Sequence, residues 1–439
     1  MPHASIAIVG AGLAGCEAAF ALAERGVRVT LFEMKPSRFS PAHESPMLAE
    51  LVCSNSLRSN DPKSAVGALK EEMRSLGSLA LEAAAETQVP AGKALAVDRE
   101  RFSAFITERI AAHPNIALVR KEITDLRLPL QEAPDAHTLV VTAGPLVSEA
   151  LAASLSSLVG GESLYFYDAI APIVAADSID MTTAFWGARY APEERDYLNC
   201  PMEKDEYFAF LKALLAAEKV ATKDFEQEKH FEGCMPIEAL AERGPKTLTF
   251  GPLKPVGFVD PRTDRRPYAL LQLRTENLNK SAFNLVGCQT KLTYAAQAEV
   301  FRLIPGLEKA EFIRFGSMHR NTFVNAPMVL TNNLALKTAP DIFLAGQITG
   351  VEGYVESAAC GLWLGLHLAS GKTLPLPPVE SALGALLGHL RTPAKHFQPS
   401  NVQYGLMPEL GERARKADRK ALYADRARAA FSSWRRETA

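Results

Sequence analysis

The run Ile6-Ala7-Ile8-Val9-Gly10-Ala11-Gly12-Leu13-Ala14-Gly15 decides the fold. Its apolar opening reads as a strand, and the turn that follows carries three glycines with separate tasks. The first allows a tight turn, the second lets the backbone approach a pyrophosphate, and the third lets the next helix pack closely on the strand. That helix, through Glu17 to Glu24, points its positive end at the phosphates. Gly26 closes it, and Val27 to Phe32 read as a second strand. Glu33 ends that strand, where an acid accepts hydrogen bonds from ribose hydroxyls. The predicted cofactor-binding residues of this βαβ unit are Gly10, Ala11, Gly12, Leu13, Ala14, Gly15 and Glu33.

A second nucleotide element lies far along the chain. Asp341 to Gly346 reads as a short buried strand, Gln347 to Gly353 as a glycine-rich loop, and Glu356 to Ala369 as a helix of small residues. Between the two, Thr138 to Pro145 reads as a fully buried parallel strand ending in a glycine turn at Gly144. Two elements so far apart argue for FAD, whose length needs both, over NAD alone. They add Gly144, Gly346, Gln347, Gly350 and Gly353 to the expected cofactor site. The expected fold is α/β, a glutathione-reductase-type FAD-binding Rossmann domain with an inserted mixed α/β domain. The FAD-binding parts fall at 1–159 and 331–408, the inserted substrate and RNA domain at 160–330, and a basic tail at 409–439. Helices are expected over 63–85, from Asp98 to Ala112 and from Pro201 to Lys219.

Composition narrows the class. The chain has 439 residues, 47% hydrophobic and 22% charged, with a net charge of −2, an ordinary globular balance. No apolar run approaches the roughly 18 residues of a membrane span, and the start lacks the charged and apolar regions of a secretory signal. A cytoplasmic protein with no membrane partner is expected. The six cysteines contain no CxxC pair, which suggests no metal site. The tail from Glu409 holds nine Arg or Lys and five acids. Its stretch Arg413 to Lys420 reads as a solvated helix, with a phosphate-contacting tail as the other reading.

Longer motifs are more specific. Leu51-Val52-Cys53-Ser54-Asn55-Ser56-Leu57-Arg58, His319-Arg320-Asn321-Thr322-Phe323 and the loop from Gly346 to Ser357 together resemble the folate- and FAD-dependent tRNA (uracil-5-)-methyltransferases, the TrmFO family. Asn284 to Thr290 and Val300 to Glu308 fit the same family, although Cys288 stands where an aromatic is usual. The resemblance runs from the first strand to about residue 410. The longer GidA or MnmG flavoproteins, which modify a tRNA wobble uridine, are the related branch.

The resemblance implies methylation of carbon 5 of uridine 54 in the T loop. The methylene would come from 5,10-methylenetetrahydrofolate and the hydride from FAD reduced by NADH or NADPH. The implied partners are the tRNA T arm and folate, with no obligatory protein partner. Two alternatives stay open: the same chemistry on a ribosomal RNA uridine, and a flavin oxidoreductase of a small metabolite. Carbon 5 of uracil is a poor nucleophile until a thiolate adds to carbon 6, so the reaction needs covalent catalysis. By resemblance Cys234, in Phe231 to Glu238, is that nucleophile, and Cys53 is the base at carbon 5. Arg58 and Lys63 follow Cys53 and are candidates to activate it. Cys16, Cys200 and Cys360 read as packed thiols. His319 and Arg320 are candidates to contact folate or uracil. Arg262, Arg265, Arg266 and Lys254 read either as a solvated loop or as a grip on RNA phosphates. Arg274, Lys280 and Lys291 are candidates for the same face.

Overall fold

The computed structural model describes residues 5–160, 164–191, 193–220, 235–395, 397–411, 415 and 418–438, with the side chains of 164–168 and 320 left aside. Its first sheet joins β1 (Ser5–Val9), β2 (Arg28–Glu33), β3 (Ile116–Arg120), β4 (Ala136–Val141) and β5 (Ile342–Leu344). Their order is β5-β4-β1-β2-β3, and every pair is parallel. Ala7, Ile8, Leu31, Leu139 and Val140 have no exposed surface, as expected for strands covered on both faces. The chain leaves β1 toward β2 and β3, then returns to place β4 on β1's other side. A switch point of this kind opens a ligand crevice beyond the carboxyl ends of β1 and β4.

Small residues close the domain. The helix α1 (Leu13–Ala23) crosses α3 (Tyr354–Ala369) at van der Waals contact; α2 (Ala65–Ser75) lies between them in sequence. A Cβ on Gly361 would fall 2.1 Å from Ala14 O, and one on Gly365 would fall 2.8 Å from Ala18 O. The late segment can therefore dock on the opening βαβ unit only with glycine at these turns of α3. Asp98 caps the helix Arg99–Ala111 by accepting from Arg101 N, as its position in the sequence suggests. The single helix expected over 63–85 is two. Gly77, at φ +81°, ends the first, and Ser78 starts Leu79–Glu86 by accepting from Leu81 N.

The middle of the chain builds a six-stranded antiparallel sheet. Its order is Phe185–Trp186, Tyr197–Met202, Ala269–Thr275, Ala282–Leu285, Ile173–Ala175, Phe312–Arg314. Pro201 and Met202 belong to this sheet, so the helix expected from Pro201 begins at Lys204, where Glu203 and Glu206 form a capping box. Strand alternation sends Leu198, Cys200, Leu271, Leu273, Phe283 and Leu285 into a separate apolar core. Asn199, Gln272, Arg274 and Asn284 take the opposite face. A ribbon of Leu164–Ala169 and Met318–Phe323 links the two halves, and Phe323 already packs in the first core.

The stretch Arg413 to Lys420, read as a solvated helix or a phosphate-contacting tail, falls partly outside the described residues. Residues 412–414 and 416–417 lie outside the described residues. The observed helix is Arg419–Thr438, in which Tyr423, Ala427, Phe431 and Trp434 make a buried stripe at spacings of four, four and three, the period of an amphipathic helix. Trp434 Nε1 donates to Pro375 O at 3.2 Å. Phe431→Ala should lower stability by about 3 kcal/mol, the cost of truncating a buried phenyl. Urea unfolding of the full chain checks this, and an unchanged midpoint would mean that the helix is detached in solution.

Candidate active site

The crevice beyond β1 and β4 fits a dinucleotide, glycine by glycine. Gly10 sits at φ +99°, and a Cβ there would lie 2.7 Å from Thr142 O. A Cβ on Gly15 would lie 1.9 Å from Gly10 O, so α1 rests directly on the turn. At Gly12 a Cβ would meet nothing within 4 Å, because this glycine faces the open cleft. No side chain caps α1, which leaves its first amides to an anion. Glu33, 7% exposed, accepts from Ala11 N and Lys35 N, each at 2.9 Å. Ala11 and Leu13 line the same cleft, with Ala14 and Gly144.

The far segment supplies the opposite wall through Gly346, Gln347, Tyr354 and Ser357. Gly346, at φ +80°, leaves 2.8 Å for a Cβ against Ala14 Cβ. Gln347 N donates to Ser357 Oγ at 3.0 Å. Gly350 and Gly353 do not line the cleft. A Cβ on Gly350 would strike the Phe397 ring at 2.5 Å, and one on Gly353 would meet Glu356 Oε2 at 2.5 Å. They let the loop pass under its own chain. Lys35 and Glu50, which no sequence motif marks, also line the cleft and pair at 3.0 Å.

Cys53 is half-buried and directly follows Val52, which lines this cleft together with Tyr354. Its N–H donates to the Tyr354 hydroxyl at 2.7 Å. Arg99 donates to Leu51 O and pairs with Glu276 at 2.6 Å. Burial, followed by the charge of Cys53, pushes the Tyr354 phenol far up, so it stays protonated. The candidate activators Arg58 and Lys63 are replaced by other residues. Arg58 pairs with Glu356 at 2.5 Å, and Lys63 is exposed beside Tyr404. The guanidinium groups that bond the loop on either side of Cys53 belong to Arg99, through Leu51 O, and Arg274, through Ser54 Oγ. Arg274 is thus moved from the expected RNA face to the cysteine: it is 7% exposed and donates to Asn55 Oδ1 at 2.8 Å.

The remaining described thiols are packed. Burial pushes Cys200 up to about 12 and Cys360 up to about 11, and raises Cys16 and Cys288 further. Cys234 lies outside the described residues. His319 faces Ser317, with Nε2 2.8 Å from its Oγ. Burial first, then the charges of Arg314 and His43, lower it to about 4, so it is neutral near pH 7. Arg320 pairs by its backbone with Tyr167, and its side chain lies outside the described residues.

The arginine run divides in two. Arg262 pairs with Asp260 at 2.7 Å, so its charge is locally matched. Arg265 and Arg266 are exposed. Arg266 borders a shallow groove with Lys204, Lys246, Tyr268 and Phe250, the last 79% exposed. Lys280 lies 4.5 Å from the centre of the Trp186 ring, and Lys291 N donates to Glu238 at 2.7 Å.

Comparison with known proteins adds identity to this geometry. The family model described as glucose inhibited division protein A matches residues 5–373. A methylenetetrahydrofolate–tRNA-(uracil-5-)-methyltransferase TrmFO from Oleidesulfovibrio alaskensis is 66% identical over 98% of this chain and 97% of its own length. Proteins of the same name from Lawsonia intracellularis and Geobacter sulfurreducens are 59% and 57% identical over 98% of this chain, covering 97% and 98% of their own lengths. Among solved structures, Aquifex aeolicus GidA superposes with a TM-score of 0.67 at 17% identity, over 98% of this chain and 73% of that one, a likeness of fold. With near-full-length relatives at this identity, the chain belongs to the TrmFO family of methylenetetrahydrofolate–tRNA-(uracil-5-)-methyltransferases.

Proposed function

We propose that this chain methylates carbon 5 of uridine 54 in the T loop of tRNA, with 5,10-methylenetetrahydrofolate as the one-carbon donor and NADH or NADPH as reductant. The observation that carries the reading is a full-length 66% identity to a protein named for this activity. It is supported by a half-buried cysteine whose backbone is bonded to Tyr354, a residue lining the cleft built for a dinucleotide. Gly10 to Gly15, Glu33 and the Gly346–Gln347 turn would hold FAD, which when reduced would supply the hydride that completes the methyl group. The enzyme works in the cytoplasm; no helix among the described residues is long and apolar enough to cross a membrane.

The protein's own groups do the rest. The Cys234 thiolate adds to carbon 6, and the electron pair moved to carbon 5 attacks the donor methylene. Cys53 takes the proton from carbon 5. The pair left at carbon 5 expels the folate nitrogen, which leaves an exocyclic methylene on a ring still bonded to Cys234; hydride addition to that methylene would re-form the carbon 5–carbon 6 double bond as the Cys234 thiolate leaves. The base must leave its loop stack for this, as in other enzymes that act on bases. With fluorine at carbon 5 there is no proton to remove, so 5-fluorouridine T-arm RNA should be trapped as a stable adduct. Cys234→Ala should abolish the adduct, seen as a shifted band on a denaturing gel. A normal adduct in that variant would exclude Cys234 as the nucleophile.

The exposed Phe250, set among Lys204, Lys246 and Arg266, combines an aromatic face with phosphate-binding charge, the makeup of a stacking platform for an unpaired base. Arg265 extends the charge. Phe250→Ala should weaken tRNA binding about tenfold, following the ~1–3 kcal/mol of one base stack, with the trapped adduct still forming at saturating RNA. Unchanged affinity by filter binding would remove the groove from the RNA surface.

A further inference from the structure

The loop Leu51–Asn55 belongs to no regular element, yet much of its hold comes from the inserted half of the molecule. Arg274 Nη2 donates to Ser54 Oγ at 2.7 Å and its Nε to Asn55 Oδ1 at 2.8 Å. Arg314 Nη1 donates to Val52 O at 3.1 Å, and its Nη2 to Ala42 O at 2.7 Å. Asn55 Nδ2 returns a bond to Thr275 O at 2.9 Å. Cys53 therefore sits between Val52, held by one arginine of the inserted half, and Ser54, held by another. The nearby Arg99–Glu276 pair and the bond from Leu278 N to Asp98 Oδ2 at 3.2 Å continue the seam.

We propose that Arg274 and Arg314 are positioning residues for Cys53, tying the cysteine loop to the inserted sheet so that the thiol reaches its working place only when that sheet is docked. Burial explains why the tie is firm. Were the loop to swing away, the Arg274 guanidinium would be left buried without its partners, a costly state for a charge. A lysine at 274 would keep the charge, but a single ammonium cannot reproduce the two divergent bonds to Ser54 and Asn55.

The inference rests on the reading of Cys53 as the base at carbon 5, and its test separates the two. The FAD-loaded protein is treated with iodoacetamide, the rate of Cys53 alkylation is followed by peptide mass spectrometry, and kcat and KM for tRNA are measured alongside. Cys16, Cys200 and Cys360 stay unreactive while the core is intact and so report folding. In Arg274→Gln, the released loop should change the Cys53 alkylation rate at least fivefold and lower kcat at least tenfold, with KM for tRNA within about twofold. Arg274→Lys, which cannot make both bonds, should restore neither reading to the parent's value. If Arg274→Gln loses its core, Arg274→Lys and Arg314→Gln decide by the same two readings. Parent-like alkylation and kcat in the folded variants overturn the proposal. Methylation surviving Cys53→Ala would instead overturn the role of Cys53, whatever the alkylation rates show.

Discussion

Cys53→Ala is expected to capture 5-fluorouridine T-arm RNA as well as the parent does, yet to release almost no methylated product from ordinary RNA. Capture needs only the thiolate that attacks carbon 6, whereas release needs removal of the carbon 5 proton. Losing a positioned general base costs on the order of 10²–10⁴ in rate, so single-turnover methylation should fall by that factor. The alanine removes one sulfur from a half-buried loop whose backbone stays tied through Cys53 N and Tyr354, so FAD content and stability should hold. Full methylation by this variant would remove Cys53 from the mechanism.

The second large effect separates the work of two glycines five and two residues along the same turn. Gly12→Ala places a methyl group in the open cleft, where it meets no protein atom within 4 Å. The protein should fold normally and lose FAD affinity by about a hundredfold, since the methyl stands where the pyrophosphate must approach. Gly15→Ala drives a methyl to 1.9 Å from Gly10 O and 2.7 Å from Thr142 Oγ1. Neither the backbone carbonyl nor the bonded hydroxyl can yield cheaply, so both FAD binding and the stability of the FAD-free protein should drop, the latter by about 1–3 kcal/mol or more. Titration with FAD and urea unfolding of each variant check this. Equal stability of the two variants would contradict the packing described for α1.

The nucleotide half was legible because its signals are local. The strand, the three glycines, the helix and Glu33 follow one another within one short unit, and β4 announces itself as an apolar run. Local reading says less elsewhere. Gly350 and Gly353 pack closely on Phe397 and Glu356, and Arg262, read either as part of a solvated loop or as an RNA contact, pairs with the acid two residues earlier. The surroundings of Cys53 were not legible at all from spacing. Arg99, Arg274, Arg314 and Tyr354 come from four distant segments, and no periodicity marks a residue whose partner lies across a domain seam. The buried stripe of the helix Arg419–Thr438 escaped the sequence reading for a different reason. The charges of that helix dominate the composition, while its apolar stripe of Tyr423, Ala427, Phe431 and Trp434 is only four residues wide.

The order of strands in the parallel sheet also has a consequence for how the protein is made. β4 is finished at Val141, but β5, its outer neighbour, begins at Ile342. A ribosome adding about 5–20 residues per second takes roughly 10–40 s to cover that interval. Throughout it, the nascent chain carries the apolar edge Leu139-Val140-Val141 without its hydrogen-bonding partner, the kind of edge that recruits other chains. The same delay withholds α3 from α1, so the flavin pocket has only one wall until most of the polypeptide has emerged. Loading of the cofactor is thereby placed near the end of translation, and crowded polysomes are the setting in which this protein is most exposed to aggregation.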